Sequence, residues 1–398
     1  GDRFHFATDK KIHGVYMNRY LYKANLWNER QTKFTGLIFN IFPSLNKWMG
    51  KFIKNQLDSP YYCQLIEKYK PCLVFTTHPF IEAENQLLVN AEKYGIKTIS
   101  LIHSWDNLTG KGRIHCIPGQ LIVWNEVMKQ EALMLYPENF NDKNVHVVGL
   151  PQHDYLVNDN WLQDKNDFFQ KLGGNPKKKV ITYISRGGKY SHYREQENLD
   201  VLISGLEKSQ FIEEAQLFIR EVASHDRLQY SDVIGDKENV IYDHPEVSYF
   251  PNTSATYQWS SDQNATYHLG NLLQHSDVII NFGSTISLDS VYFNKPLIWS
   301  IYRTGSDLQL SKNEHIPDEL GMCHLQPILN MKAVTIPNKP SDLIELVNDA
   351  LRKPDLLKKG RSNLREQYCP YYDGKAGKRI ANIIIDTIDK LEYIKNYE

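Results

Sequence analysis

Residues 276–296 read SDVIINFGSTISLDSVYFNKP, and this stretch decides the fold class. The run from Val278 to Phe282, apolar but for Asn281, has the pattern of a strand buried on both faces. It runs into Gly283-Ser284-Thr285, where a residue free of Cβ precedes two hydroxyls, and then into apolar positions at helical spacing. Pro296 to Ser300 is apolar again and reads as the next strand. A strand, a glycine turn, a helix and a strand make the repeating unit of a parallel sheet, because parallel neighbours need a crossover between them.

The same alternation extends outward. Upstream, Val180 to Ser185, Leu217 to Arg220 and Val240 to Tyr242 read as strands, with a helix near Glu195 to Lys208, so the second half is a doubly wound α/β sheet. In the first half Cys72 to Thr77, Thr98 to His103, Leu121 to Trp124 and Val145 to Pro151 read as strands, and Glu82 to Tyr94 as a helix. The polar stretch between the halves, rich in Asp and Asn, reads as a connection. The expected organisation is two Rossmann-like α/β domains facing an interdomain cleft: residues 1–156, a linker over 157–176, a second domain over 177–373, and a C-terminal helix over 374–398. That helix is apolar at Ile380, Ile383, Ile384, Ile388 and Leu391 and is expected to pack.

The length of 398 residues suits two cores rather than one. A formal charge of −1 supplies no field for steering nucleic acid, so an anion site must come from a few placed groups. The five cysteines are odd in number and form no CxxC pair, which disfavours a zinc site or a disulfide framework. The three Asn-x-Ser/Thr matches, at Asn107, Asn252 and Asn264, read as chance in such a chain, and a reducing cytoplasm is the expected compartment. No apolar run is long enough to span a bilayer, and the missing initiator Met suggests a trimmed chain or fragment. From Phe34 to Leu57 apolar residues recur at helical spacing opposite Lys47, Lys51 and Lys54. That stretch is either a core-facing helix pair or a peripheral contact with the inner face of the cytoplasmic membrane.

The chemistry concentrates at strand ends, where α/β folds meet their ligands. Gly283, Ser284 and Thr285 offer hydroxyls and free backbone N–H groups at a helix start, a place suited to a diphosphate, and Asp289 lies where a carboxylate reaches a ribose diol. The plain alternative is that Ser284 caps the helix and Asp289 is a solvated acid. Arg186 and Lys189, in the glycine-bearing loop after the first strand of the second half, could neutralise a leaving phosphate or simply face solvent. His225 and His244, each after a strand, are weaker candidates for the nucleotide. In the first half the loop HSWDNLTGKG, 103–112, holds Asp106 and His103 as candidate general bases, Trp105 as a sugar platform and Asn107 beside them. Capping of a turn is the alternative for Asp106 and Asn107. His78, after the first strand, faces the same edge. No GxxxxGK[ST], GxGxxG or GxSxG occurs, and no metal-ligand spacing is present, so no cofactor and no metal is expected.

The words SWDNLTGKG (104–112), IVWNEVMKQEA (122–132), VVGLPQHD (147–154), HSDVIINFGSTISLDSVYFNKPLI (275–298) and YYDGKAGKRIA (371–381) resemble bacterial polysaccharide-assembly proteins of the GT-B superfamily, grouped with CDP-glycerol glycerophosphotransferases. The resemblance implies a nucleotide-sugar donor, as substrate rather than cofactor, with its phosphates at Ser284 and Thr285. It implies a saccharide or lipid-linked acceptor on the side of Asp106, and a glycosyltransferase of capsule or O-antigen (lipopolysaccharide) synthesis. Such relatives carry Arg-x-His-Pro after the second strand of the second domain, whereas here Arg220 is followed by EVASHD, which displaces His225. A glycerophosphotransferase, a nucleotide-sugar epimerase and a non-catalytic scaffold subunit are the rival functions.

Overall fold

The computed structural model describes residues 52–111, 114–157, 159–185, 192–221, 237–244, 247–249, 259–301, 320 and 324–397. It divides into two compact units, one of residues 1–154, 311–324 and 367–398, the other of residues 155–310 and 325–366.

In the first unit the chain runs through α1 (Pro60–Tyr69), β1 (Leu73–Thr76), α2 (Glu82–Lys93), β2 (Lys97–Leu101), α3 (Asn107–Gly110), β3 (Gln120–Val123), α4 (Glu126–Leu135) and β4 (Val145–Val147). The strands pair in parallel in the order β1-β2-β3-β4, with Val74 opposite Thr98, Ser100 opposite Leu121 and Ile122 opposite His146. Local chemistry sets the helix ends. Pro60 opens α1, where a missing N–H is no loss, and Lys70 closes it in left-handed backbone at φ 45°. The Asn125 side chain accepts the Met128 N–H and so caps α4.

The second unit contains α5 (Lys165–Lys171), β5 (Lys179–Ile184), α6 (His192–Glu207), β6 (Ala215–Arg220), β7 (Val240–Asp243), β8 (Val247–Tyr249), β9 (Trp259–Ser261), α7 (Gln263–His275), β10 (Val278–Asn281), α8 (Ile286–Tyr292), β11 (Leu297–Trp299), α9 (Leu325–Asn330) and α10 (Leu343–Arg352). Its five-stranded sheet is parallel throughout, in the order β11-β10-β5-β6-β7. Every residue of β6, β10 and β11 is buried, as befits strands covered on both faces. Chain order reverses at β5, between β10 and β6, and a doubly wound sheet opens its ligand crevice at such a reversal. β8 and β9 form a separate antiparallel ribbon.

The polar stretch 157–176 carries α5, because Asp164 caps the Asn166 and Asp167 N–H groups while Phe168 and Phe169 turn inward. Those two rings pack with Val180, Phe218 and Leu272, each buried ring contributing about 1.5–3 kcal/mol. The chain leaves the second unit through α11 (Lys358–Tyr368) and returns to the first as α12 (Ala376–Tyr397). Ile380, Ile383 and Ile384 of α12 cover the face of the first sheet made by Ile99, Ile122 and Val148. No helix among the described residues is long and apolar enough to cross a membrane. The amphipathic stretch 34–57 lies outside the described residues except for 52–57.

Candidate functional site

In the second unit β10 delivers Asn281 to the reversal point of the sheet. Its side chain is fully buried. Oδ1 accepts the Gly283 N–H at 2.8 Å and the Ser287 hydroxyl at 3.2 Å, while Nδ2 finds no partner among the described residues. Gly283 sits at φ 67°, and a Cβ there would meet Ile301 Cδ1 at 3.1 Å, so the turn requires glycine. Ser284 is exposed at the tip. The helix begins at Ile286 with Thr285 as its N-cap residue, and no side chain supplies the capping bond, so Ser284 is not spent as a cap. Asp289, in the first turn, is half-buried and raises the Tyr155 hydroxyl, though burial of Tyr155 is the larger cause. Ser287 is locked from behind by the indole N–H of Trp299 at 2.9 Å.

Two strands further along the edge, β6 and β7 pair Arg220 with Asp243 and so set Glu221 beside His244. Arg220 and Asp243 form a buried ion pair at 2.8 Å, and His268 Nε2 reaches the other Asp243 oxygen at 2.8 Å. Burial raises the Asp243 carboxyl, but His268 and Arg220 outweigh it and hold the group below the usual carboxylate range. Glu221 takes the Tyr242 hydroxyl and His244 Nδ1, the latter at 2.8 Å. Arg186, Lys189 and His225 lie outside the described residues. Sequence reasoning missed Asn281, Glu221, Tyr242 and His268. An acid directly after β6 and a histidine directly after β7 were the available signal, since strands in parallel register bring such successors together.

In the first unit the rings of His78 and His103 stack at 5.4 Å, at the ends of β1 and β2. Burial, then the neighbouring His103, holds the His78 imidazole below its ordinary value, and His78 Nδ1 is buried without a partner among the described residues. Glu84 clamps this corner by accepting the Thr77 and His78 N–H groups at 2.9 and 2.6 Å. His103 is exposed. Asp106 precedes α3 without capping it; its Oδ1 instead accepts from Asn107 Nδ2 at 3.1 Å. Asn107 is buried and also accepts the Ser104 N–H, so its amide holds the loop. Trp105 is 2% exposed, edge-on to His324 and Tyr368. Glu131 of α4, another residue the sequence did not single out, lies near enough to Asp106 to feel its charge. Burial first and Asp106 second push the Glu131 carboxyl up to about 8.

Residues 120–386, two thirds of the chain, match the family described as CDP-glycerol:poly(glycerophosphate) glycerophosphotransferase. The chain belongs to that family. Membership places this glycerophosphotransferase-family chain among nucleotide-linked transferases of cell-wall polymer synthesis. No curated protein sequence matches it. Its fold is shared with solved structures of low identity. UDP-GlcNAc 2-epimerase from Neisseria meningitidis, bound to UDP-GlcNAc, is 14% identical with a TM-score of 0.55, over 85% of this chain and 82% of that one. The MnaA–UDP complex of S. aureus is 15% identical with a TM-score of 0.54, over 85% and 80%. UDP-GlcNAc 2-epimerase from Methanocaldococcus jannaschii is 14% identical with a TM-score of 0.51, over 82% and 80%. These likenesses show the fold, two parallel Rossmann-like α/β sheets of the GT-B kind.

Proposed function

We propose that the chain transfers a sugar from a nucleotide-sugar donor to a saccharide or lipid-linked acceptor of a growing bacterial surface polymer. The observation that carries this reading is the Asn281–Thr285 turn: it stands at the reversal point of a doubly wound sheet and holds, behind exposed Ser284, a buried amide whose Nδ2 has no partner among the described residues. The donor diphosphate would take N–H and hydroxyl donors there, with Asp289 toward the ribose and Arg186 and Lys189 supplying positive charge to the leaving phosphate. His225 and His244 complete the donor side.

On the acceptor side, Asp106 or His103 would take the proton of the attacking hydroxyl as its oxygen bonds to the anomeric carbon and the nucleoside diphosphate departs. His78 would line that side. Trp105 and Asn107, both buried, would hold the loop that presents Asp106. Chemistry of this kind needs no bound cofactor or metal, because the turn and its cations carry the leaving-group charge. The basic amphipathic stretch 34–57 would bring the enzyme to a lipid-linked acceptor at the inner face of the cytoplasmic membrane.

A second reading, glycerophosphoryl transfer, is favoured by the family description. The product separates the two: a glycoside for the first, a phosphodiester for the second. Binding is tested by melting the chain with UDP, GDP, CMP, CDP, dTDP and their conjugates, with Ser284→Ala plus Arg186→Ala as the control. A ligand at about a hundred times its Kd stabilises the native state by about 2.7 kcal/mol. One nucleotide class should raise the melting temperature and lose that effect in the double variant. The donor site is wrong if millimolar nucleotide of every class leaves the wild type unmoved.

A further inference from the structure

At the carboxyl end of the first sheet, support for a histidine pair is built from the strands outward. The register sets Thr76 opposite Ser100, and their hydroxyls share a buried hydrogen bond at 2.6 Å. Two side chains of α2 then fix the loop that leaves β1. Glu84 accepts the Thr77 and His78 N–H groups on one oxygen and the Thr77 hydroxyl, at 3.3 Å, on the other. Asn85, fully buried, donates to the Pro79 and Ile81 carbonyls at 3.0 and 2.8 Å and accepts the Cys116 N–H at 3.0 Å. These bonds hold the backbone that carries His78. Its ring meets Phe80 edge-on at 6.1 Å and lies against His103 at 5.4 Å, with the two imidazole planes 29° apart.

His103 is the exposed member of the pair and His78 the half-buried one. An imidazole ordinarily titrates near neutrality, where a proton acceptor works best, but it must hold a nitrogen at the attacking hydroxyl. An exposed histidine in a loop turns freely about its side-chain bonds. A flat neighbour on one face restrains that turning and uses neither ring nitrogen of His103. Burial first and His103 second keep the His78 ring below its ordinary value, with Lys111 acting in the same direction and Glu84 against it. His78 is therefore uncharged at neutral pH and does not repel a proton that arrives on His103.

We propose that His78 is a positioning residue of the acceptor side: its ring, anchored through Glu84 and Asn85, holds the exposed His103 imidazole in the orientation that takes the proton of the acceptor hydroxyl. The inference rests on the acceptor reading given above and deepens it, because it divides two residues of one edge into one that meets the substrate and one that acts through it. The acceptor oxygen bonds to the reacting centre of the donor, and its proton passes to a ring nitrogen of His103. The bond to the nucleotide leaving group breaks and its electron pair goes with the nucleotide, after which the exposed ring returns the proton to solvent. His78 exchanges no proton in this scheme, so a flat ring without nitrogens can stand in for it.

Two measurements test the assignment. The first is an NMR titration of the histidine ring protons of the full chain without substrate. His78 should titrate below an ordinary imidazole, and His103→Gln should move it upward by removing the neighbouring charge. A His78 unmoved by that substitution means that the two rings do not meet in solution, which overturns the inference. The second is release of free nucleotide from UDP-GlcNAc and from CDP-glycerol with water as the acceptor. His78→Leu fills the space without a flat ring and should lower kcat at least about tenfold with KM unchanged, whereas His78→Phe should restore most of that loss. Equal loss in the two variants would mean that the His78 nitrogens act and the stack does not. No loss in either would mean that His78 only fills space, and each of these results overturns the inference. A wild type that releases nucleotide from neither compound counts against the donor reading instead, and the titration then decides the pairing of His78 with His103 by itself.

Discussion

Glu131 shows how one buried carboxyl couples folding to pH. Its Oε2 is closed to solvent and has no hydrogen-bond partner among the described residues, so nothing compensates its charge. The folded group titrates near 8, against 4.5 for the free side chain. A raised carboxyl contributes its full stability below the unfolded value and loses it as pH rises through the folded value, so the loss runs from about pH 4.5 to about pH 8. Glu131→Gln keeps the shape and removes the titration. Its melting temperature should exceed that of the wild type increasingly across this window and by a constant margin above it, worth a few kcal/mol at most. Melting curves at pH 5, 7 and 9 check this, and equal melting temperatures at pH 9 would refute it. The depressed Asp243 carboxyl acts in the opposite sense: its contribution is present above the ordinary carboxylate range and disappears only in acid.

At the scale of elements, close approach of backbone decides what can vary. Gly360, in α11, lies so near the Met331–Lys332 backbone that a Cβ would fall 2.1 Å from the Lys332 carbonyl oxygen. No side-chain rotation relieves a clash with backbone. Gly360→Ala should therefore destabilise the second unit by about 1–3 kcal/mol or more, read as an earlier urea midpoint, while Gly95→Ala, which meets no neighbour, leaves packing alone and costs only its left-handed φ of 68°. Elements also mark how far the amino-acid pattern was readable. Runs such as Val278 to Phe282 and Leu217 to Arg220 yielded their strands because burial on both faces leaves them apolar except where Asn281 and Arg220 find buried partners. The helix α5 was hidden, since two phenylalanines among Asp, Asn, Gln and Lys give too short an apolar stripe to stand out. The ribbon β8–β9 was hidden as well: three-residue strands that pair across an intervening segment carry almost no local periodicity. Among site residues the exposed hydroxyl of Ser284 and the ring of His103 were legible from their loops. Glu131 was not, because an acid in an amphipathic helix looks solvated until a neighbouring element closes over it.

On the scale of the whole molecule, the two sheets differ in what their strand order can offer a ligand. Among the described residues the first runs β1-β2-β3-β4 without reversal, whereas the second reverses at β5, the kind of position where a doubly wound sheet takes its ligand, beside the Asn281–Thr285 turn. A nucleotide alone should therefore engage the second unit, and the first should respond only when an acceptor is added. Hydrogen exchange with and without UDP tests this division. Amides in peptides covering 278–292 and 240–244 should slow on addition of UDP, those of 76–80 and 102–110 should keep their rates, and Ser284→Ala should abolish the slowing. Protection of 102–110 by UDP, with 278–292 unaffected, would mean that the loop holding Asp106 and His103 binds the nucleotide, and the donor and acceptor assignments of the two units would have to be exchanged.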